Sequence, residues 1–272
     1  MVELICHKEQ NLKEFTDNNC AQASFCFERL LKDKDVKVNG VKVSKNVRLF
    51  VGDSVRYYMS EKQEKATAFS IVYQDENIIV VDKESGVNSE AVFTQLFRND
   101  EGMVAFIHRL DRNTQGLMVF ARNEKTEEKL LDAFRKKKVE KRYFALCLGV
   151  FKKQSERLTA YLKKDEKRAI VQVFDKPTRG AEKIVTEYKV LEKRQSETKV
   201  EIVLHTGKTH QIRAHMAHIG NPVVGDMKYG DTAENRARQT TRQKLIAKYL
   251  RFDLDGDLAY LNEKNFVSKF DF

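Results

Sequence analysis

No apolar run in this 272-residue chain approaches the ~20 residues needed to cross a bilayer, which removes a membrane-spanning reading. The start, Met1 to Lys8, lacks a basic flank followed by an apolar core and a small-residue cleavage site. It is therefore not read as a secretory signal, and a cytoplasmic location is expected. The four cysteines, Cys6, Cys20, Cys26 and Cys147, form no Cys-x-x-Cys pair and no zinc-ribbon spacing. Reduced, partly buried thiols are the simplest expectation for them. Internal repeats, low-complexity segments and a His-Glu-x-x-His pattern are also missing, so nothing suggests a solenoid or a zinc protease. What is present in excess is positive charge: 50 Lys and Arg against 40 Asp and Glu, a formal +10. That balance favours polyanions through counterion release, without naming one.

Residues 1–60 read as a compact block. A helical pattern carries Phe25, Leu30 and Leu31, and then Val and Lys alternate around Asn39-Gly40 from Val36 to Val43. Asn-Gly between such runs signals a hairpin, because both residues tolerate the positive φ of a type I′ turn. The polar run inside 61–69 reads as a linker, and a larger domain is expected over 70–272. That domain opens with β-type runs at Ile71 to Tyr73 and Ile78 to Val81. The spacing of Leu130, Leu131 and Phe134 predicts a helix over 124–138, with its basic end at the negative pole of the helix dipole. Further β-type segments are 168–174, 184–191, 199–204 and 244–252. Ile212, Met216 and Ile219, followed by Gly220, predict a short helix over 209–219. The stretch 234–243 fits either loop or helix.

The residues that carry chemistry cluster in His108-Arg109-Leu110-Asp111-Arg112-Asn113-Thr114-Gln115-Gly116-Leu117. One carboxylate sits there among bases, with the apolar run Leu117 to Phe120 behind it. Asp111 is expected to project from the end of a buried strand into a cleft. A second block runs Leu204-His205-Thr206-Gly207-Lys208-Thr209-His210-Gln211-Ile212-Arg213-Ala214-His215, then Gly220-Asn221-Pro222 and Gly225-Asp226. Between them stands Lys141-Arg142-Tyr143-Phe144-Ala145-Leu146.

In this order the three blocks resemble the motifs of RluA-type pseudouridine synthases. The departures are Gln115 where that family has Ser, Lys208 where it often has Arg, and Glu84 in place of proline in a Lys-Pro-x-Gly element matched by Lys83 and Gly86. The resemblance implies Asp111 as the catalytic carboxylate, Tyr143 packing on the target base and Arg213 pairing with the catalytic Asp. RNA contacts are expected from Lys83, His108, Arg109, Arg112, Thr114, Lys141, Lys208, His210 and His215. The N-terminal helices and hairpin, followed by Gly52-Asp53-x-Val55, look like the small alpha-L RNA-binding domain named after a ribosomal small-subunit protein. The implied fold is α/β (α+β): a mixed, mostly antiparallel curved sheet flanked by helices, with a small N-terminal α+β domain.

The implied function is isomerisation of uridine in structured ribosomal or transfer RNA. It needs neither cofactor nor metal, and the protein is expected to act as a monomer. A carboxylate could attack C1′, add to C6 of the base, or assist proton abstraction at C2′, and the sequence leaves the three open. Read alone, each residue has a plainer role: an Asp in a turn caps it, a Tyr in an apolar strand is core, and a helical Arg is solvated. A non-catalytic RNA-binding or RNA-chaperone protein of the same fold is the main alternative. The histidines at 205, 210, 215 and 218 raise a metal-dependent hydrolase as a third reading, but His215 and His218, which share a face of the predicted helix, have no adjacent carboxylate to serve as base.

Overall fold

The structure, a computed structural model, describes residues 1–60, 68–99, 104–166, 168–240 and 242–272. Most of the expected linker, 61–67, lies outside the described residues. The chain forms two compact units, Met1–Arg112 with Met118–Asp132, and Asn113–Leu117 with Ala133–Phe272. The first unit thus extends past the expected boundary at 61–69 and includes the turn that carries Asp111.

In the first unit, β1 (Val2–Ile5) precedes β2 (Gln10–Asn11), and three short helices follow: α1 (Leu12–Asn19), α2 (Ala21–Phe25) and α3 (Phe27–Lys32). Asn11 caps α1, its Oδ1 accepting from the Glu14 N–H at 2.9 Å. Next come β3 (Val36–Val38), β4 (Val41–Val43), β5 (Arg48–Leu49) and β6 (Ser54–Tyr57). The sheet order is β1-β6-β3-β4, with β2 and β5 paired separately. Asn39 and Gly40 turn the β3–β4 hairpin with φ of 48° and 82°, both positive as a type I′ turn requires. Leu12, Phe15, Phe27, Leu30, Val36, Leu49, Val55 and Tyr57 form one buried cluster beneath the helices.

The same unit holds β7 (Phe69–Gln74) and β8 (Ile78–Lys83), an antiparallel pair. Asp75 shapes the turn between them by accepting from the N–H groups of Asn77 and Ile78, each at 2.8 Å. All six residues of β8 are buried, as its unbroken Ile-Ile-Val-Val run suggests. Helix α4 (Ser89–Asn99) and β9 (Ala105–Phe106) follow, and β9 pairs with the far end of β10 (Gln115–Ala121). Phe93, Phe106 and Phe120 pack there, with ring centroids 5.7 to 6.3 Å apart. Helix α5 (Glu124–Arg135) comes next in the chain, as its spacing predicts.

The second unit is built on β11 (Val139–Leu148), β12 (Ser155–Asp165), β13 (Ile170–Phe174), β14 (Glu182–Lys193), β15 (Glu197–Leu204) and β16 (Leu245–Phe252). Their order is β13-β12-β14-β15-β11-β16, every neighbour antiparallel, with β17 (Phe266–Val267) on β16. On β14, Ile184, Thr186, Tyr188 and Val190 alternate inward while Lys183 and Lys189 face out. Helix α6 (Gln211–His218) covers part of this inner face, packing Ala214 on Ala160, Leu162, Val171 and Ile184. It ends in a Schellman motif: Gly220 takes φ 84°, and the Gly220 and Asn221 N–H groups donate to the Ala217 and Met216 carbonyls at 3.0 Å. Helix α7 (Thr232–Ala237) occupies the stretch that could be loop or helix.

The start of β10 runs parallel to β16, Gln115 opposite Ile246 and Gly116 opposite Ala247. The sheet is therefore mixed but mostly antiparallel, as expected. Gly116 has φ 113°, and an added Cβ would overlap the Ala247 backbone. Gly116→Ala should therefore cost about 3 kcal/mol or more, combining backbone strain with overpacking. Urea unfolding checks this, and a loss below about 1 kcal/mol would show that the strands separate without penalty.

Candidate active site

Asp111 is half-exposed in the turn ahead of β10 rather than at the end of a strand, so the expected strand-end position is corrected. Hydrogen bonds hold both of its neighbours. On one side the Leu110 N–H donates to Ser89 Oγ at 3.0 Å, and Ser89 Oγ–H donates to the Leu110 carbonyl at 2.8 Å. On the other, the Arg112 carbonyl accepts from the Gly86 N–H at 2.9 Å and from Lys83 Nζ at 3.0 Å. Arg112 Nε returns a bond to the Gly86 carbonyl at 2.9 Å. His108 Nε2 accepts from the Val119 N–H at 3.1 Å, so the neutral ring carries its proton on Nδ1. A carboxylate set between two such clamps loses little orientational freedom on meeting a substrate.

Lys83, Thr114 and His215, expected from sequence to contact RNA, are only 0%, 3% and 2% exposed. The three protons of the Lys83 ammonium go to the carbonyls of Glu84, Val87 and Arg112, at 3.0, 2.8 and 3.0 Å. Burial pushes the Lys83 pKa down to about 7, and the negative charge of Asp111 is the largest influence in the other direction. Thr114 Oγ1 accepts from Gln243 Nε2 at 3.0 Å. Arg109 is the exposed base of the turn and pairs with Glu90 at 2.9 Å.

In the second unit, Tyr143 is buried on β11, opposite Ile202 and Ala247 at a bulge. Lys141 lies over the Phe134 ring at 4.9 Å, and burial lowers its pKa. Arg213, on α6, makes a bidentate pair with Asp226, Nε to Oδ2 at 2.7 Å and Nη2 to Oδ1 at 3.0 Å. Burial alone would raise the Asp226 carboxyl, but Arg213 and the N–H groups of Lys228 and Tyr229 hold it below the usual range. Asp226 belongs to the Gly225-Asp226 motif, but its pairing with Arg213 is not among the roles expected from sequence. Tyr229 lies under the same guanidinium, 5.2 Å from its carbon, and its hydroxyl bonds His210 Nδ1 at 2.7 Å. Lys208 pairs with Glu182.

The histidines each have a separate partner: His205 with Glu187, His210 with Tyr229, His215 with Thr186 and His218 with Asp175. Among the described residues, no three His, Cys, Asp or Glu side chains are grouped to hold a metal. Burial, with a smaller push from the His218 charge, lowers the His215 pKa to about 4. Neutral His215 therefore supports the fold fully above about pH 6.5, and the support is lost as pH falls toward 4. Stability should drop by on the order of 1–2 kcal/mol between pH 7 and pH 5. His215→Gln should flatten that slope in urea unfolding, and an unchanged slope would assign it to other groups.

The family profile described as RNA pseudouridylate synthase matches residues 57–218, a span that holds Lys83, Asp111, Tyr143 and Arg213. The chain belongs to that family. This RNA pseudouridylate synthase is 32% identical over 228 residues to ribosomal large subunit pseudouridine synthase C of Vibrio vulnificus, covering 75% of the chain and 70% of the relative. A Bacillus subtilis RNA pseudouridine synthase is 30% identical over 271 residues, covering 90% and 86%. The solved structure of human RNA pseudouridylate synthase domain containing 1 superposes with a TM-score of 0.61 at 28% identity, over 69% of this chain and 79% of that one. The synthase is thus an isomerase of RNA, and no described helix is long and apolar enough to cross a membrane.

Proposed function

We propose that this synthase isomerises uridine in large-subunit ribosomal RNA, with Asp111 as the catalytic carboxylate. The observation that carries the assignment of Asp111 is the double clamp of Leu110 and Arg112 around it. The choice of ribosomal over transfer RNA is supported by the name of the Vibrio relative. Tyr143 is proposed to stack on the flipped base and Arg213 to take part in the isomerisation, roles that rest on the motif resemblance. Residues 1–60 are proposed as an alpha-L-type RNA anchor and 70–272 as the catalytic domain, in a monomer acting in the cytoplasm.

The target uridine must leave its stack, at a cost of a few kcal/mol that backbone contacts offset. The N1–C1′ bond then breaks and a C5–C1′ bond forms on the same ribose. The proton lost from C5 is balanced by one gained at N1, so no redox partner or leaving product is involved. An ionised Asp111 supplies either the nucleophile at C1′ or C6, or the base at C2′. Pseudouridine mapping across total RNA, with and without the gene, tests the substrate. The expected result is loss of one or more pseudouridines from large-subunit ribosomal RNA, restored by the wild-type gene. Losses confined to transfer RNA would overturn the ribosomal assignment.

A further inference from the structure

Asp17, on α1, is buried and stands 95 residues before Arg112 in the chain, yet its Oδ2 accepts from Arg112 Nη1 at 3.1 Å. Its other oxygen accepts from Ser24 Oγ at 2.7 Å and from Lys13 Nζ. Arg112 is held from three directions: by Asp17 at its tip, by the Gly86 carbonyl at Nε, and by Gly86 and Lys83 at its own carbonyl. The residue after Asp17, Asn18, accepts through its carbonyl from Thr94 Oγ1 of α4 at 2.9 Å. The first residue of α4 is Ser89, which clamps Leu110. The supports on both sides of Asp111 therefore lead back to α1.

We propose that Asp17 is a positioning residue for the isomerisation, fixing Arg112 and through it the turn that presents Asp111. The N-terminal helical segment then belongs to the catalytic apparatus as well as to RNA binding. The proposal rests on the reading of Asp111 as the catalytic carboxylate. A buried carboxylate paired with a half-exposed guanidinium contributes little net stability, and the best-attested use of such a pair is to select one geometry. Asp17 selects it for a side chain adjacent to the carboxylate, where a displacement of about 1 Å costs on the order of a hundredfold in rate. Arg112, expected from sequence to contact RNA, is assigned to this internal role.

The test compares wild type, Asp17→Asn, Arg112→Gln and the double variant on a large-subunit ribosomal RNA transcript labelled with tritium at uridine C5. Tritium release gives kcat and KM, filter binding gives RNA affinity, and urea unfolding gives stability. Asp17→Asn should lower kcat by about 10- to 100-fold with KM and RNA affinity within about twofold. The double variant should be no slower than Arg112→Gln alone, because Asp17 acts through Arg112. Unchanged kcat, a rise in KM with kcat intact, or losses that multiply in the double variant would each overturn the proposal. If Asp17→Asn does not fold, Arg112→Lys decides: it leaves Asp17 bonded to Lys13 and Ser24, and its kcat should fall severalfold at constant KM. Full activity of Arg112→Lys would overturn the proposal. Asp111→Asn runs alongside, since its turnover would defeat the catalytic reading itself, whereas its inactivity with an unimpaired Asp17→Asn would defeat only the positioning role.

Discussion

Asp111→Asn is expected to lower single-turnover pseudouridine formation by more than about 10³-fold, over 4 kcal/mol in barrier, while RNA affinity stays equal or rises. The substitution keeps the size of the side chain and its hydrogen-bonding reach. The clamps act on Leu110 and Arg112 through backbone atoms and the Arg112 side chain, so the turn should keep its shape. What disappears is the negative charge and with it the nucleophile or base. Removing an anion from a surface that meets phosphates relieves repulsion, which is why affinity should not suffer. Digestion of the RNA and separation of its nucleosides after one turnover measures the effect. Turnover within about tenfold of wild type, roughly 1.4 kcal/mol, would remove Asp111 from the chemistry.

Arg213→Ala should be the most destabilising of the site substitutions, at about 3–5 kcal/mol, because it leaves a carboxylate buried without its cation. Asp226 has no exposed side-chain surface and accepts two of the guanidinium bonds. The pH dependence gives a second signature. In the wild type the lowered Asp226 pKa contributes stability above the ordinary carboxylate value, and that stability is lost as pH falls through the folded value. In the alanine variant burial dominates and raises the carboxyl, so acidification stabilises the variant. The gap between the two proteins should therefore narrow from pH 7 to pH 4.5 in urea unfolding. Arg213→Lys should lie between them, since lysine returns the charge without the planar fork. A gap that is constant with pH would mean that Asp226 does not depend on Arg213.

Local pattern carried much of the fold. Asn39-Gly40 marks the β3–β4 hairpin because positive φ is a property of those two residues, and Gly220 marks the end of α6 for the same reason. The unbroken apolar run of β8 reads directly as a buried strand. Strand β12 escaped notice because its inward residues, Ala160 and Leu162, alternate with Arg, Thr and Lys within a charged stretch. Helix α4 is not among the expected elements, although Asn88 stands before it as a cap-type residue and Val92, Phe93 and Leu96 recur at helical spacing.

The site residues were legible by type but not by environment. Lys83 reads as a phosphate contact until its three carbonyl acceptors place it inside the unit. Asp226 lies thirteen residues beyond Arg213, and nothing in their spacing distinguishes a bidentate pair from two solvated charges. The Asp17–Arg112 pair joins distant parts of the chain and leaves no local signal at all. Such long-range partners are set by how elements pack, which a linear pattern does not encode.

Tritium release by the purified wild-type protein, acting in EDTA on a large-subunit ribosomal RNA transcript labelled at uridine C5, tests the central claim most directly. The account predicts steady release, with one pseudouridine formed for each tritium freed and no metal or nucleotide added. Tight binding of the RNA without release, or release that stops on chelation and returns with metal, would contradict it.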